Sequence, residues 1–149
     1  ISKRRVLALD EADMKLSNER LVYVANAGGR PSASDAVRLL AAQSAQSGRK
    51  ILICDTSGQL EKEIENKSQQ NSSKIPSISI NENISVMSSV KGAGFYTSTN
   101  FKTNVKDMMT HFDQVFICSS NNNANLGLMA LSEFTPSLVL VTGLRTTRK

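Results

Sequence analysis

Residues 20–35 read Arg-Leu-Val-Tyr-Val-Ala-Asn-Ala-Gly-Gly-Arg-Pro-Ser-Ala-Ser-Asp. The first eight, RLVYVANA, read as a strand that stops at the Gly28-Gly29 break. A polar loop, GGRPSASD, follows. From Ala36 the pattern turns helical, with Val37, Leu40, Ala41 and Ser44 on one side, frequent alanine, and Gly48 placed to end the run. Ser32, Ser34 and Asp35 are good residue types for the start of that helix. Strand, glycine loop and helix together form a unit whose free N–H groups and helix dipole favour an anion.

The rest of the chain repeats the alternation. Residues 50–55, Lys-Ile-Leu-Ile-Cys-Asp, are a continuous apolar strand with an acid at its tip, as a strand covered on both faces requires. Residues 61–74 (EKEIENKSQQNSSK) are strongly polar and read as an exposed helix end running into a loop. Residues 84–87 form a short strand, and Phe101, Val105, Met108 and Phe112 stand at helical spacing. A second buried strand covers 114–118, a polar SSNNNAN loop follows, then a helix over 126–134 and a closing strand over 138–141. Residues 4–16 suit a short helix with Val6, Leu9, Ala12 or Asp13, and Leu16 on one side. Alternation of this kind predicts an open, mostly parallel α/β sheet with helices on both faces, a Rossmann-like three-layer arrangement. Ligands in such sheets bind at the carboxyl ends of the strands.

Composition narrows the function classes. The chain has 149 residues with 40% hydrophobic content, enough for one domain with a sizeable core, so we take 1–149 as a single domain. Two cysteines, Cys54 and Cys118, each inside an apolar run, suit reduced buried thiols rather than a secreted bridge. No apolar run approaches the roughly 18 to 20 residues that span a bilayer. The net charge of +5 is spread along the chain except at Lys3-Arg4-Arg5 and at Arg145, Arg148 and Lys149, and few aromatic residues are present for base stacking. We therefore expect no nucleic-acid partner, and an anionic membrane surface fits the basic flanks better. The chain opens on Ile1 and stops on Lys149 just after a strand, so we read it as a piece of a longer protein.

A phosphate loop that works with Mg²⁺ spells G-x-x-x-x-G-K-(S/T): glycine admits the backbone, lysine neutralises the outer phosphates, and the hydroxyl holds the metal. With Ala27 in the first glycine position, Ser32 takes the second, Ala33 replaces the lysine and Ser34 keeps the hydroxyl. Arg30 precedes the helix and cannot copy the lysine's geometry. The candidate nucleotide or anion site is Gly28, Gly29, Arg30, Ser32, Ser34, Asp35 and Asp55. The same residues also suit a plain turn, in which Gly28, Gly29 and Pro31 bend the chain, Ser34 or Asp35 caps the helix, and Asp55 caps the turn after its strand.

From about Arg20 to Arg148 the sequence resembles the cytoplasmic P-loop domain of bacterial polysaccharide co-polymerases and tyrosine autokinases, relatives of the ParA/MinD-type ATPases. The resemblance lies in the first strand and loop, SGRKILICDTSG where the family has a Gly-Lys-Arg strand ending D-x-D, HFDQVFICSS where it has a Tyr/Phe-Asp strand ending in an acid, and the closing SLVLVTGLRTTRK. It implies a P-loop NTPase-like fold, a membrane-embedded part of the same polypeptide, self-association in rings through the nucleotide face, contact with polysaccharide export machinery, and a place on the cytoplasmic face of the bacterial inner membrane. The chemistry departs from the family. Asp55 matches the first acid, but Ser57 stands at the second and Cys118 where the third would order metal-bound water. We expect no catalytic residue, no metal site and no bound cofactor, with an atypical ATP/Mg²⁺-dependent kinase or ATPase using Arg30, Ser34 and Asp55, or a ParA/MinD-like pseudo-ATPase, as the alternatives.

Other polar residues read as structural. His111 is expected to cap the preceding helix, Cys118 to lie in the core rather than act as a nucleophile, Asn121, Asn122 and Asn123 to be a solvated loop, and Met108, Met109 and Met129 to be core residues.

Overall fold

The computed structural model describes residues 19–28, 33–64, 77–87, 90, 92–119 and 124–142. The helix expected over 4–16 lies outside them. In chain order the described residues form β1 (Leu21–Gly28), α1 (Ala33–Ala45), β2 (Ile51–Asp55), α2 (Gln59–Ile64), β3 (Ser77–Ser79), β4 (Ile84–Met87), α3 (Gly94–Thr97), α4 (Phe101–His111), β5 (Gln114–Ser119), α5 (Ala124–Leu131), a 3₁₀ turn (Ser132–Phe134) and β6 (Ser137–Thr142). The strands make one sheet in the order β3-β4-β2-β5-β1-β6. Pairing is parallel except between β3 and β4.

The strands fold as they do because every position of β2 and β5 is buried. Successive side chains on a strand point to opposite faces, and the residues sort accordingly. Val22, Val24, Ile51, Ile53, Phe116, Cys118 and Val139 share one cluster with Ala36, Val37, Leu40 and Ala41 of α1 and Leu60 of α2. Leu21, Tyr23, Leu52, Cys54, Val115, Ile117 and Leu138 share the other with Tyr96, Phe101, Val105, Met108 and Leu131. The sheet is thus the middle of three layers. Each large buried aliphatic contributes about 1.5–3 kcal/mol, and truncating fully buried Phe116 to alanine would cost about 3–5 kcal/mol.

Helix boundaries move slightly from the sequence expectation. α1 starts at Ala33 rather than Ala36, which places Ser34 and Asp35 inside its first turn. At its far end Gly48 takes φ +88, the left-handed conformation a glycine stop supplies. The short antiparallel β3 and the single turn α3 were not expected. At the entry edge of the sheet, Asp113 Oδ2 accepts the Lys50 N–H at 2.8 Å, and the Lys50 carbonyl accepts the N–H groups of Asp113 (2.8 Å) and Gln114 (3.2 Å). That pairing sets β2 against β5 in the register Ile51 to Gln114 through Asp55 to Cys118, and so fixes what meets at the other end.

Candidate functional site

β1, β2 and β5 end together at the carboxyl edge of the sheet, and Asp55 is the last residue of β2. The chain then turns through Thr56, Ser57 and Gly58, whose φ of +79 is open to glycine at little cost. The turn closes with a Gly58 N–H donated to the Asp55 carbonyl at 3.0 Å, and α2 begins at once.

The Asp55 side chain is 1% exposed, so each of its lone pairs must be met. Oδ1 accepts the Ser57 N–H (3.0 Å) and Ser57 hydroxyl (2.7 Å), with the Cys118 thiol at 3.4 Å. Oδ2 accepts the Ser34 hydroxyl (2.8 Å) and the Leu60 N–H (3.0 Å) in the first turn of α2. All five donors are neutral. Ser34 comes from the buried side of α1, across the first-strand loop, so the two candidates Ser34 and Asp55 meet directly. Its hydroxyl is directed at Asp55 rather than at the start of its own helix, contrary to the turn reading of that residue. Asp35, one residue on, is exposed in the first turn of α1. Gly28 ends β1, while Gly29, Arg30 and Ser32 lie outside the described residues.

The oxygen donors gathered here are the Asp55 carboxylate and the hydroxyls of Ser34 and Ser57. Mg²⁺ takes oxygen ligands in near-octahedral geometry, usually with carboxylate charge. Here the proton of Ser34 and that of Ser57 both point to Asp55, although the two serine oxygens stand 3.1 Å apart. The positions beside Asp55 that would add negative charge hold a hydroxyl and a soft thiol. Among the described residues no group of three or more His, Cys, Asp or Glu could hold a metal.

A second polar cluster lies on the opposite face, beneath the same strand ends. Tyr23 Oη stands 2.8 Å from the Ala124 carbonyl and 2.7 Å from Ser119 Oγ, which also meets the Tyr96 hydroxyl. A carbonyl only accepts, so Tyr23 donates to Ala124, Ser119 donates to Tyr23, and Tyr96 donates to Ser119. Thr56 donates to the Cys118 carbonyl at 2.8 Å. Burial pushes both tyrosines above their ordinary range. This chain of hydroxyls fastens α3 and the start of α5 to β1 and β5. It was missed in the sequence, where a tyrosine in the otherwise aliphatic run LVYVA is the available signal, since a buried phenol needs a partner for its hydroxyl.

The thiols are chemically quiet. Burial first, and then the neighbouring Asp55, raises both Cys54 and Cys118 above the ordinary thiol value of 9.0, so neither presents a thiolate near neutral pH. Cys54 packs on the sulfurs of Met108 (3.6 Å) and Met87 (3.7 Å). His111 sits in the last turn of α4 with Nδ1 2.8 Å from the Asp107 carbonyl. Met108 is core, Met109 half-buried, and Met129 departs from expectation with 74% exposure. Asn121, Asn122 and Asn123 lie outside the described residues.

No protein-family model matches the chain, and no curated protein does. Among solved structures it is similar to the VpsO kinase domain, with 15% identity and a TM-score of 0.69 over 93% of this chain and 78% of that one. It is also similar to the chimerical protein CapA2B2, at 17% identity and a TM-score of 0.60 over 89% of this chain and 67% of the other. The BceF tyrosine kinase domain matches at 17% identity and a TM-score of 0.55, over 89% of this chain and 59% of that one. Six strands in a mostly parallel sheet, covered by helices on both faces, thus give this chain the fold shared by these kinase domains.

Proposed function

We propose that the chain is a non-catalytic, P-loop-like domain of an exopolysaccharide or capsule biosynthesis protein, which regulates chain length or export through protein contacts at the cytoplasmic face of the bacterial inner membrane. Its partners are copies of itself, a membrane-embedded part of the same polypeptide, and the export machinery. The single observation that supports this reading is the state of Asp55. Phosphoryl transfer needs cationic charge over the phosphates and an acid-anchored metal. Here the acid is consumed as the cap of the β2–α2 turn, taking Ser34 Oγ, Ser57 and Leu60 N–H, and Cys118 occupies the strand position opposite it.

The likeness to the VpsO and BceF kinase domains favours a second reading, an atypical ATP-binding tyrosine kinase or ATPase that uses Arg30, Ser34 and Asp55. Calorimetric titration of the folded domain with ATP and ADP, with and without Mg²⁺, separates the two. No heat up to millimolar nucleotide is the expected result. Micromolar binding that requires Mg²⁺ overturns the first reading, and loss of that binding in Asp55→Ala would then assign the site.

A further inference from the structure

Three sulfur atoms meet on the α3–α5 side of the sheet. Ile53 of β2 pairs with Val86 of β4, so the next residue of each strand, Cys54 and Met87, stand side by side, and α4 brings Met108 to them. Cys54 Sγ lies 3.6 Å from Met108 Sδ and 3.7 Å from Met87 Sδ. Cys54 and Met108 are buried, while Met87, the last residue of β4, is half-buried. Thioethers stand outside the His, Cys, Asp and Glu ligands weighed above, and they bind a different class of metal.

A thiol carries a single proton, yet both thioethers approach the same sulfur as acceptors. A soft cation in the place of that proton bonds to all three. Thiolate and thioether ligands select copper(I), whereas Mg²⁺, Ca²⁺ and Mn²⁺ take oxygen. Charge narrows the choice further. One thiolate cancels one positive charge and leaves the cluster neutral, but Zn²⁺ would leave net charge among Val90, Phe101 and Val105, apolar members of the same core cluster. Spacing fits as well: three metal–sulfur bonds of about 2.3 Å in a trigonal array set the sulfurs about 4.0 Å apart. Cys54 is within a few tenths of an ångström of that distance from each methionine, and the unbranched methionine side chain adapts readily.

We propose that Cys54, Met87 and Met108 form a three-sulfur site for copper(I). On binding, the S–H bond of Cys54 breaks, its proton passes to solvent and a Cu–S bond replaces it, while both thioethers add lone pairs and no electron changes hands. Met87 is the way in, because its sulfur belongs to the one half-buried residue of the three. Cys118 is the contrast within the same chain: it lies on the other face with its sulfur 3.4 Å from a carboxylate oxygen of Asp55, and its core cluster among the described residues holds no methionine. The proposal does not rest on the functional reading above.

Titration of the 149-residue chain with copper(I) held by bicinchoninate, without oxygen and with a non-thiol reductant, tests this. The expected result is withdrawal of one equivalent of copper(I), with thiolate-to-metal absorption in the ultraviolet and a higher melting temperature, since the ion binds the folded chain. Cys54→Ser removes all three effects, and Cys118→Ser keeps them. Met108→Leu and Met87→Leu keep side-chain volume and weaken binding about tenfold or more, a loss found even for residues that only support a ligand. Circular dichroism confirms that the variants fold, and Met87→Leu, at the half-buried position, carries the test should Cys54→Ser not fold. No withdrawal of copper(I) overturns the proposal. So does binding that survives Cys54→Ser, is lost in folded Cys118→Ser or ignores both methionine variants. A lower melting temperature with copper(I) also overturns it, because the metal then takes thiols that only unfolding exposes.

Discussion

Asp55 and Cys118 stand opposite each other on neighbouring parallel strands, with the Cys118 sulfur 3.4 Å from Asp55 Oδ1. A thiol there donates weakly to the carboxylate and adds no charge. Cys118→Asp sets two carboxylates side by side in a buried place and is expected to cost about 2–4 kcal/mol. Cys118→Ser keeps a small donor and is expected to stay within about 1.5 kcal/mol of the parent. Urea unfolding of the two variants measures the difference.

Removing the acceptor has a wider effect than removing one donor. Asp55→Ala leaves the buried hydroxyl of Ser34, the N–H of Leu60 and both donors of Ser57 without their partner, an expected loss of about 3–5 kcal/mol. Ser34→Ala removes one of five donors and should cost about 1 kcal/mol. The double variant should be close to Asp55→Ala alone, since the interaction lost is the same one. Full additivity in a double-mutant cycle would contradict this network.

Gly127 is where α5 comes down on the ring of Tyr23. A methyl group at that position would meet Tyr23 Cζ at 2.6 Å and Cε1 at 2.9 Å, with the hydroxyl closer still. The ring cannot give way without breaking its bonds to Ser119 and Ala124. Gly127→Ala therefore gains helix propensity but loses overall, by about 1–3 kcal/mol. A higher melting temperature for the variant would show that the ring is free to move.

The hydroxyl cluster adds to the alkaline limit of the fold, beyond the two buried thiols, whose contribution already falls as pH rises past their ordinary 9.0. Burial raises Tyr23 and Tyr96 above the ordinary 10.0, and they are the two tyrosines of the chain. Above that pH the unfolded chain loses phenolic protons that the folded chain keeps, so unfolding is favoured. Stability from this source is complete below about pH 10 and falls as pH rises from there. Absorbance of tyrosinate should appear together with loss of tertiary structure. A separate ionisation step at pH 10 in the folded chain would count against the cluster.

How far the sequence reached depends on how local each cause is. β2 and β5 were legible because an unbroken apolar run between polar turns has few other solutions in an α/β chain. Ser77–Ser79 was not, since three residues with two serines carry no pattern, and the strand exists through its antiparallel contact with β4. α3 is one turn and owes its place to the Phe95, Tyr96 and Phe101 rings, which pack edge-on or tilted. Ser34 and Asp55 were identified from two separate motifs, but their hydrogen bond depends on how α1 settles on the sheet. The cluster of Tyr23, Thr56, Tyr96 and Ser119 was out of reach for the same reason: four segments distant in sequence converge through the strand order.

The two thiols lie on opposite faces of one sheet, Cys54 under α4 and Cys118 under α1. They are too deep to react while the layers stay closed, which makes each a reporter for one layer. A labelling reagent that reaches Cys54 first records lifting of the α3–α5 side; one that reaches Cys118 first records lifting of α1 and α2. A chain with one cysteine per layer thus carries its own record of which half opens first, without any added probe.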